Sequence, residues 1–261
     1  VRRDRARVLP GGLAILIAAF EALAIDRMVV SAGALREGVL YDLMGRLHHD
    51  DARDVTIERL MEQYRVDGSQ ARRVEATALY LLDQVADEWS LDLASSRAFL
   101  GWAASLHEIG LAVAHAGHHK HGAYLVEHAD LPGFSFQDQR VLALLIHGHR
   151  RRFPRQLFRD RLPRRQARQA LRLCRLLRLA VLLNRSRSDR AQPPVRGAVR
   201  KRRMTLSFAP GWLAERPLTR ADLEQEASRL DSVGAAVVLE FGLETEPGGD
   251  GGGPGSSTEA A

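Results

Sequence analysis

Eight of the ten histidines lie between His107 and His149, and five of those are His115, His118, His119, His121 and His128. Imidazole concentrated in this way has three uses: ligating a metal, moving protons near neutral pH, or donating hydrogen bonds and partial positive charge to phosphate. On a helix, His118, His121 and His128 share a face, because separations of three and seven residues return to it. A metal site needs donors from several elements, and His107-Glu108 with His147 or His149 are the residues that could complete one. The competing reading places His107 and His149 inside a helical bundle with their rings hydrogen-bonded. Phosphate binding is favoured by Lys120 and by the guanidinium groups of Arg150, Arg151 and Arg152, which can grip phosphate oxygens two at a time.

The second concentration is of arginine. Twelve arginines and one acid, Asp160, lie between Arg150 and Arg178. Such a stretch attracts polyanions, with phosphate chains, nucleic acid and anionic lipid all eligible; it can also be a solvated helix face with a basic bias. Aromatic residues make up only 6% of the chain, and few lie among these arginines, so platforms for stacking bases are scarce and no specific nucleic-acid partner is expected. The sequence has neither a P-loop nor a Gly-x-Ser-x-Gly elbow. Gly11-Gly12 either turns the chain or exposes backbone N–H groups to phosphate at a helix N-terminus.

The chain has 261 residues, 45% hydrophobic and 27% charged, enough for an ordinary core and two domains. No apolar run approaches the roughly 20 residues that span a bilayer, and Val1-Arg2-Arg3-Asp4 lacks a signal-peptide core. The single cysteine, Cys174, can form no internal disulfide, which suits the cytoplasm, and reads as a small core residue. Because the first residue is valine and an apolar segment begins by Val8, the chain is expected to start in the middle of a larger protein.

The elements that must position these residues are mostly helical. Leu9-Pro10-Gly11-Gly12 reads as a turn into a buried helix over 13–23, Met28–Val30 as a strand and 34–47 as an amphipathic helix. From about Asp54 to Asn184 the period is that of helices: Ile57, Leu60, Met61 and Tyr64 share a face, as do Val74, Ala78, Leu81, Leu82 and Val85, and Phe99, Ala103, Leu106 and Gly110. Ser135 and Asp138 form a capping box for a helix over 136–149, and 161–184 reads as one long basic helix burying Leu173, Leu176, Leu177, Ala180 and Leu183. Then come a strand over 204–208, a helix capped by Thr219 and Asp222, and a strand over 235–241. The Pro, Gly, Ser and acidic tail after Glu244 is expected to be disordered.

In order and spacing, LPGGLAIL (9–16), GALREGVLYD (33–42), LHEIGL (106–111), HHKHGAYL (118–125), DLPGF (130–134) and LAVLLN (179–184) resemble the exopolyphosphatase and guanosine pentaphosphate phosphohydrolase family, over about Val8 to Phe241. The resemblance implies a mainly α chain with α/β ends: residues 1–48 closing the second lobe of an actin-like phosphatase, 49–190 an HD-like helical domain, 191–243 a small α/β domain, and 244–261 the tail. In the HD-like pattern Gln70, Glu108 and Val181 stand where metal ligands would, so no working metal centre is expected in this chain.

The resemblance further implies a cytoplasmic, homodimeric hydrolase that removes the terminal phosphate of polyphosphate. Mg2+ and the catalytic carboxylate would be supplied upstream of Val1, leaving no catalytic residue here. The small C-terminal domain favours exopolyphosphatase; the alternatives are guanosine pentaphosphate phosphohydrolase and an HD-type metal phosphohydrolase. His118, Lys120 and His121 are the expected polyphosphate-binding residues, then Arg150 and Arg151, with Gly11, Gly12 and Arg36 facing the phosphates from the lobe.

Overall fold

The computed structural model describes residues 9–25, 52–188, 195–200, 203–235 and 237–241. The chain divides into two compact units, residues 1–49 and 50–261. In the first, α1 (Leu9–Ala22) begins before Gly11 and Gly12. Pro10 fits its first turn because the N–H it lacks would have no helical partner there. The expected turn is therefore the first turn of the helix, and a Cβ on either glycine would meet nothing within 4 Å. None of the α1 side chains is buried, contrary to the reading of a buried helix, since no other described element of this unit covers it. Arg36, the strand expected at Met28–Val30, the helix over 34–47 and the tail lie outside the described residues.

The second unit is mainly helical, with a small sheet. It runs α2 (Ala52–Gln63), α3 (Gly68–Val85), α4 (Leu93–Leu106), a 3-10 turn (Ile109–Ala112), α5 (His118–His128), α6 (Phe136–Gly148), α7 (Arg155–Arg161), α8 (Arg164–Leu183), β1 (Val195–Arg200), β2 (Arg203–Phe208), α9 (Pro217–Asp231) and β3 (Val237–Phe241). Side-chain oxygens of Asp67, Asp92 and Ser135 accept from first-turn N–H groups and set the starts of α3, α4 and α6, each contributing about 1 kcal/mol. The long basic helix is two helices. Leu162, before Pro163, is driven into extended backbone (φ −130°, ψ 147°), because the proline ring clashes with a helical conformation there.

Helix α3 lies at the centre. Val74, Ala78, Leu81, Leu82 and Val85 are fully buried, together with Leu100, Ala103 and Leu106 of α4, Leu142, Leu145 and Ile146 of α6, and Cys174, Leu176, Leu177 and Ala180 of α8. Gly110 and Gly122 let the 3-10 turn lie directly on α5: a Cβ on Gly110 would sit 2.0 Å from the His118 carbonyl oxygen. That contact sets the end of α4 beside the start of α5.

The sheet order is β1-β2-β3, with β1 antiparallel to β2 (Val195 opposite Phe208) and β2 parallel to β3 (Met204 opposite Val237). Parallel strands need a crossover, which α9 supplies. The sequence reading missed β1, whose VRGAVR carries two arginines and a glycine. It also began α9 too late: the helix starts at Pro217, with no side-chain cap.

Arg178 of α8 and Glu226 of α9 form an ion pair that is 2% exposed at each residue. Arg178 Nε and Nη2 donate to the two Glu226 oxygens at 2.5 and 2.8 Å, and Nη1 and Nη2 donate to the carbonyls of Gly148 and Arg151 at 2.5 and 2.6 Å. With one partner removed, the other is left as an uncompensated buried charge. Arg178→Met should therefore destabilise the fold by about 3–5 kcal/mol, and the double variant Arg178→Met/Glu226→Leu should recover most of that. Chemical denaturation measures both, and a single-variant cost below about 1 kcal/mol would show the pair to be incidental.

Candidate functional site

Three elements bring six imidazoles together. His107 ends α4, His115 precedes α5, His118 and His119 open α5, and His147 and His149 end α6. Ring centroids are 5.5 Å apart for His107 and His149, 5.6 Å for His118 and His149, 5.7 Å for His119 and His147, and 6.0 Å for His115 and His118. Gly117, at φ +72°, makes the turn that aims the start of α5 at this cluster, in a conformation glycine adopts without strain.

His107 and His149 are buried and hydrogen-bonded within the bundle, as one sequence reading had it: their Nδ1 atoms lie 2.7 and 2.6 Å from the carbonyls of Ala104 and Ile146. His107 Nε2, His119 Nδ1 and His147 Nδ1 are buried with no hydrogen-bond partner. Such unused polar capacity is costly to leave inside a protein and marks a place where a ligand group could bond.

Burial pushes the pKa of every one of His107, His118, His119, His147 and His149 below the usual imidazole value, His149 well below it. His119 falls to about 4, through burial first and then through its neighbours His147 and His118. The imidazoles are therefore neutral at pH 7 and act as hydrogen-bonding groups rather than as positive charges. Of the positive charges around these rings, Arg150 makes a direct contact, its Nη1 lying 3.2 Å from His118 Nδ1, while Lys120, Arg161 and Arg187 also act on members of the cluster. Because a guanidinium can only donate, His118 Nδ1 accepts in this contact and the ring proton sits on Nε2. The same Nδ1 lies 3.2 Å from the His115 carbonyl, so it can donate there if Arg150 turns to an anion.

The other expected binding residues are less concentrated. Lys120 is exposed, His121 is half-buried, and Arg151 is exposed, in a left-handed conformation (φ 65°) with its carbonyl held by Arg178. His128, read as sharing the face of His118, instead points to solvent and stacks on Tyr124 at 4.2 Å. Gly11 and Gly12 belong to the other unit. His119 is the member that periodicity alone did not single out: it lies one position from His118, yet both are buried because α5 starts at the cluster's centre.

At the metal positions implied by the HD-like pattern, Gln70 is buried and donates to the Asn184 carbonyl at 3.0 Å, while Arg187 holds Glu108 at 2.6 Å and Asp67 at 2.7 Å. Among the described residues no three His, Cys, Asp or Glu side chains are placed to hold a metal ion. They do not fit a magnesium site, and no chemistry is derived through one.

The depressed imidazole pKa values predict a specific acid sensitivity. The unfolded chain takes up protons near pH 6.5 and the folded chain only at lower pH, so this stability is fully present above about 6.5 and falls as pH drops toward 4. Melting temperature should decline across that window, and His119→Phe should flatten part of the decline. A profile unchanged by His119→Phe would show that this ring is not held neutral by the fold.

The comparisons agree with this architecture. A profile for the Ppx/GppA phosphatase family matches residues 1–47, and one for Ppx/GppA phosphatase, domain III, matches residues 52–227. Curated relatives named guanosine-5'-triphosphate,3'-diphosphate pyrophosphatase include that of Photobacterium profundum, 39% identical over 91% of this chain and 47% of the relative. Those of Vibrio vulnificus, at 40% over 91% and 47%, and Pseudoalteromonas translucida, at 37% over 90% and 47%, are similar. The chain thus spans about half the length of the curated relatives it matches. No described helix is long and apolar enough to cross a membrane. With its helical unit matched almost throughout, the chain belongs to the Ppx/GppA phosphatase family.

Proposed function

We propose that this chain holds phosphate groups for a phosphohydrolase whose substrate is guanosine pentaphosphate, and that Arg150, backed by His118 and the neutral imidazoles, is its grip. The contact that carries the reading is Arg150 Nη1 against His118 Nδ1, beside the His119 and His147 Nδ1 atoms, which have no hydrogen-bond partner. A half-buried guanidinium draws the anion, and the uncharged N–H groups of His118, His119 and His147 can then bond its oxygens without adding further like-charge repulsion to the cluster; the neutral His107 ring uses its N–H on the Ala104 carbonyl and is no donor. Lys120, His121 and Arg151 extend the grip toward solvent. The name shared by the curated relatives favours this substrate over polyphosphate.

Linear polyphosphate is the second reading, supported by the arginines of α7 and α8. Either reading implies water attacking a phosphoanhydride, with the attacking base and Mg2+ held outside the described residues. It also implies pairing of two copies, through the family resemblance, and a cytoplasmic location, with which the single buried Cys174 is compatible.

Calorimetric titration of this chain with guanosine pentaphosphate and with long-chain polyphosphate tests the proposal. Arg150→Ala should weaken binding of the nucleotide about tenfold or more, and Arg150→Lys less. Unchanged affinity in Arg150→Ala would remove Arg150 from the grip, and preference for polyphosphate would favour the second reading.

A further inference from the structure

A pocket of about 370 Å³ opens between α2, α3 and α4, and no histidine lines it. On α3 the lining positions are Gly68, Ala71, Arg72 and Glu75, spacings of three and four that return to one side of a helix. Gly68 and Ala71, with Ala98 and Gly101 of α4, have side chains too small to fill the space between the helices. Ile57 and Trp102, both buried, and the partly buried Met61 give it an apolar floor. Its size falls within the range of about 300–1,000 Å³ typical of small-molecule sites.

Two opposite charges of the lining have no charged partner among the described residues. Glu75 is half-buried, and burial first, then the charge of Asp54, raise its pKa. Arg72, one turn before it on α3, is exposed and makes a single contact, Nη2 donating to Ser69 Oγ at 3.2 Å. Side chains three apart on a helix are neighbours, yet no ion pair joins these two. Other charges of the lining are engaged: Asp54 accepts from Trp102 Nε1 at 2.6 Å, and Arg97 donates to both oxygens of Asp83 at 2.5 and 2.6 Å. Glu58 is exposed to water. A simple cation entering here would meet Arg72, and a simple anion would meet Glu75. A ligand carrying both charges satisfies both groups at once.

We propose that this pocket binds a free α-amino acid with an apolar side chain, its ammonium on Glu75, its carboxylate on Arg72 and its side chain over Ile57, Met61 and Trp102. Positions 72 and 75 are separated by about 4.5 Å along the helix axis, so the two charges of the ligand must be close together, as they are on either side of one α-carbon. The guanidinium fork takes a carboxylate through two N–H groups. Gly101 keeps the ammonium seat open: a Cβ there would lie 2.9 Å from Glu75 Oε1 and force the carboxylate aside. A phosphate chain is repelled by Glu58 and Glu75, which makes the site different in kind from the grip at Arg150.

The test is calorimetric titration of the full 261-residue chain with L-leucine and L-methionine, set against isoamylamine, which lacks the carboxylate, isocaproate, which lacks the ammonium, and glycine, which lacks the side chain. At least one of the two amino acids should bind and raise the melting temperature, and the three partial probes should each bind about tenfold more weakly. Glu75→Gln and Arg72→Met should each weaken amino-acid binding about tenfold. Gly101→Ala adds one methyl group and removes a glycine from a helix, so it should abolish binding without lowering the melting temperature. Glu62→Gln, exposed on α2 and outside the lining, is the control and should leave binding intact. Isoamylamine or isocaproate binding as tightly as the amino acids, equal weakening by Glu62→Gln, unaltered binding in Gly101→Ala, or no binding of either amino acid would each overturn the proposal.

Discussion

The guanidinium of Arg178 is the point on which the second unit's functional surfaces depend. It is buried, it satisfies both oxygens of Glu226, and it holds the carbonyls of Gly148 and Arg151. One side chain therefore fixes α8 to α9 and pins the segment that carries His149 and Arg150. The left-handed backbone of Arg151, unfavourable for a residue with a Cβ, persists because its carbonyl has this partner. The Arg155 bond to Val233 then joins α7 to the loop that follows α9.

Burial divides the basic residues into two chemical kinds. Imidazole titrates close to neutrality, so withdrawal from water is enough to keep His107, His118, His119, His147 and His149 uncharged. Guanidinium has so high a pKa that partial burial, which lowers it for Arg150 and Arg172, leaves both charged. The region rich in basic residues thus holds buried imidazoles in contact with Arg150 and, on α7 and α8, a cleft lined by arginines.

Much of the helical framework was legible because burial imposes a period. Val74, Ala78, Leu81, Leu82 and Val85 could lie on one face only if that face was covered, and all are buried. The Ser135 cap is equally local: its hydroxyl reaches the Asp138 N–H three residues on. Errors arose where the deciding group was not in the pattern. Pro163 broke one long helix into two, β1 hid behind arginines and a glycine, and His128 left the face of His118 to stack on Tyr124.

The sequence by itself determined the helical faces, the family, and the region in which histidine and arginine concentrate, because these follow from residue type and short spacing. It could not determine which arginines are buried in ion pairs and which line a cleft. Arg172, Arg175 and Arg178 recur three residues apart, and nothing local separates them. Only the tertiary structure set Glu226, 48 residues from Arg178 in the chain, against Arg178 and left Arg172 and Arg175 facing an open cleft. A buried charge is tolerated where a distant partner completes it, and the position of that partner is a property of the folded chain.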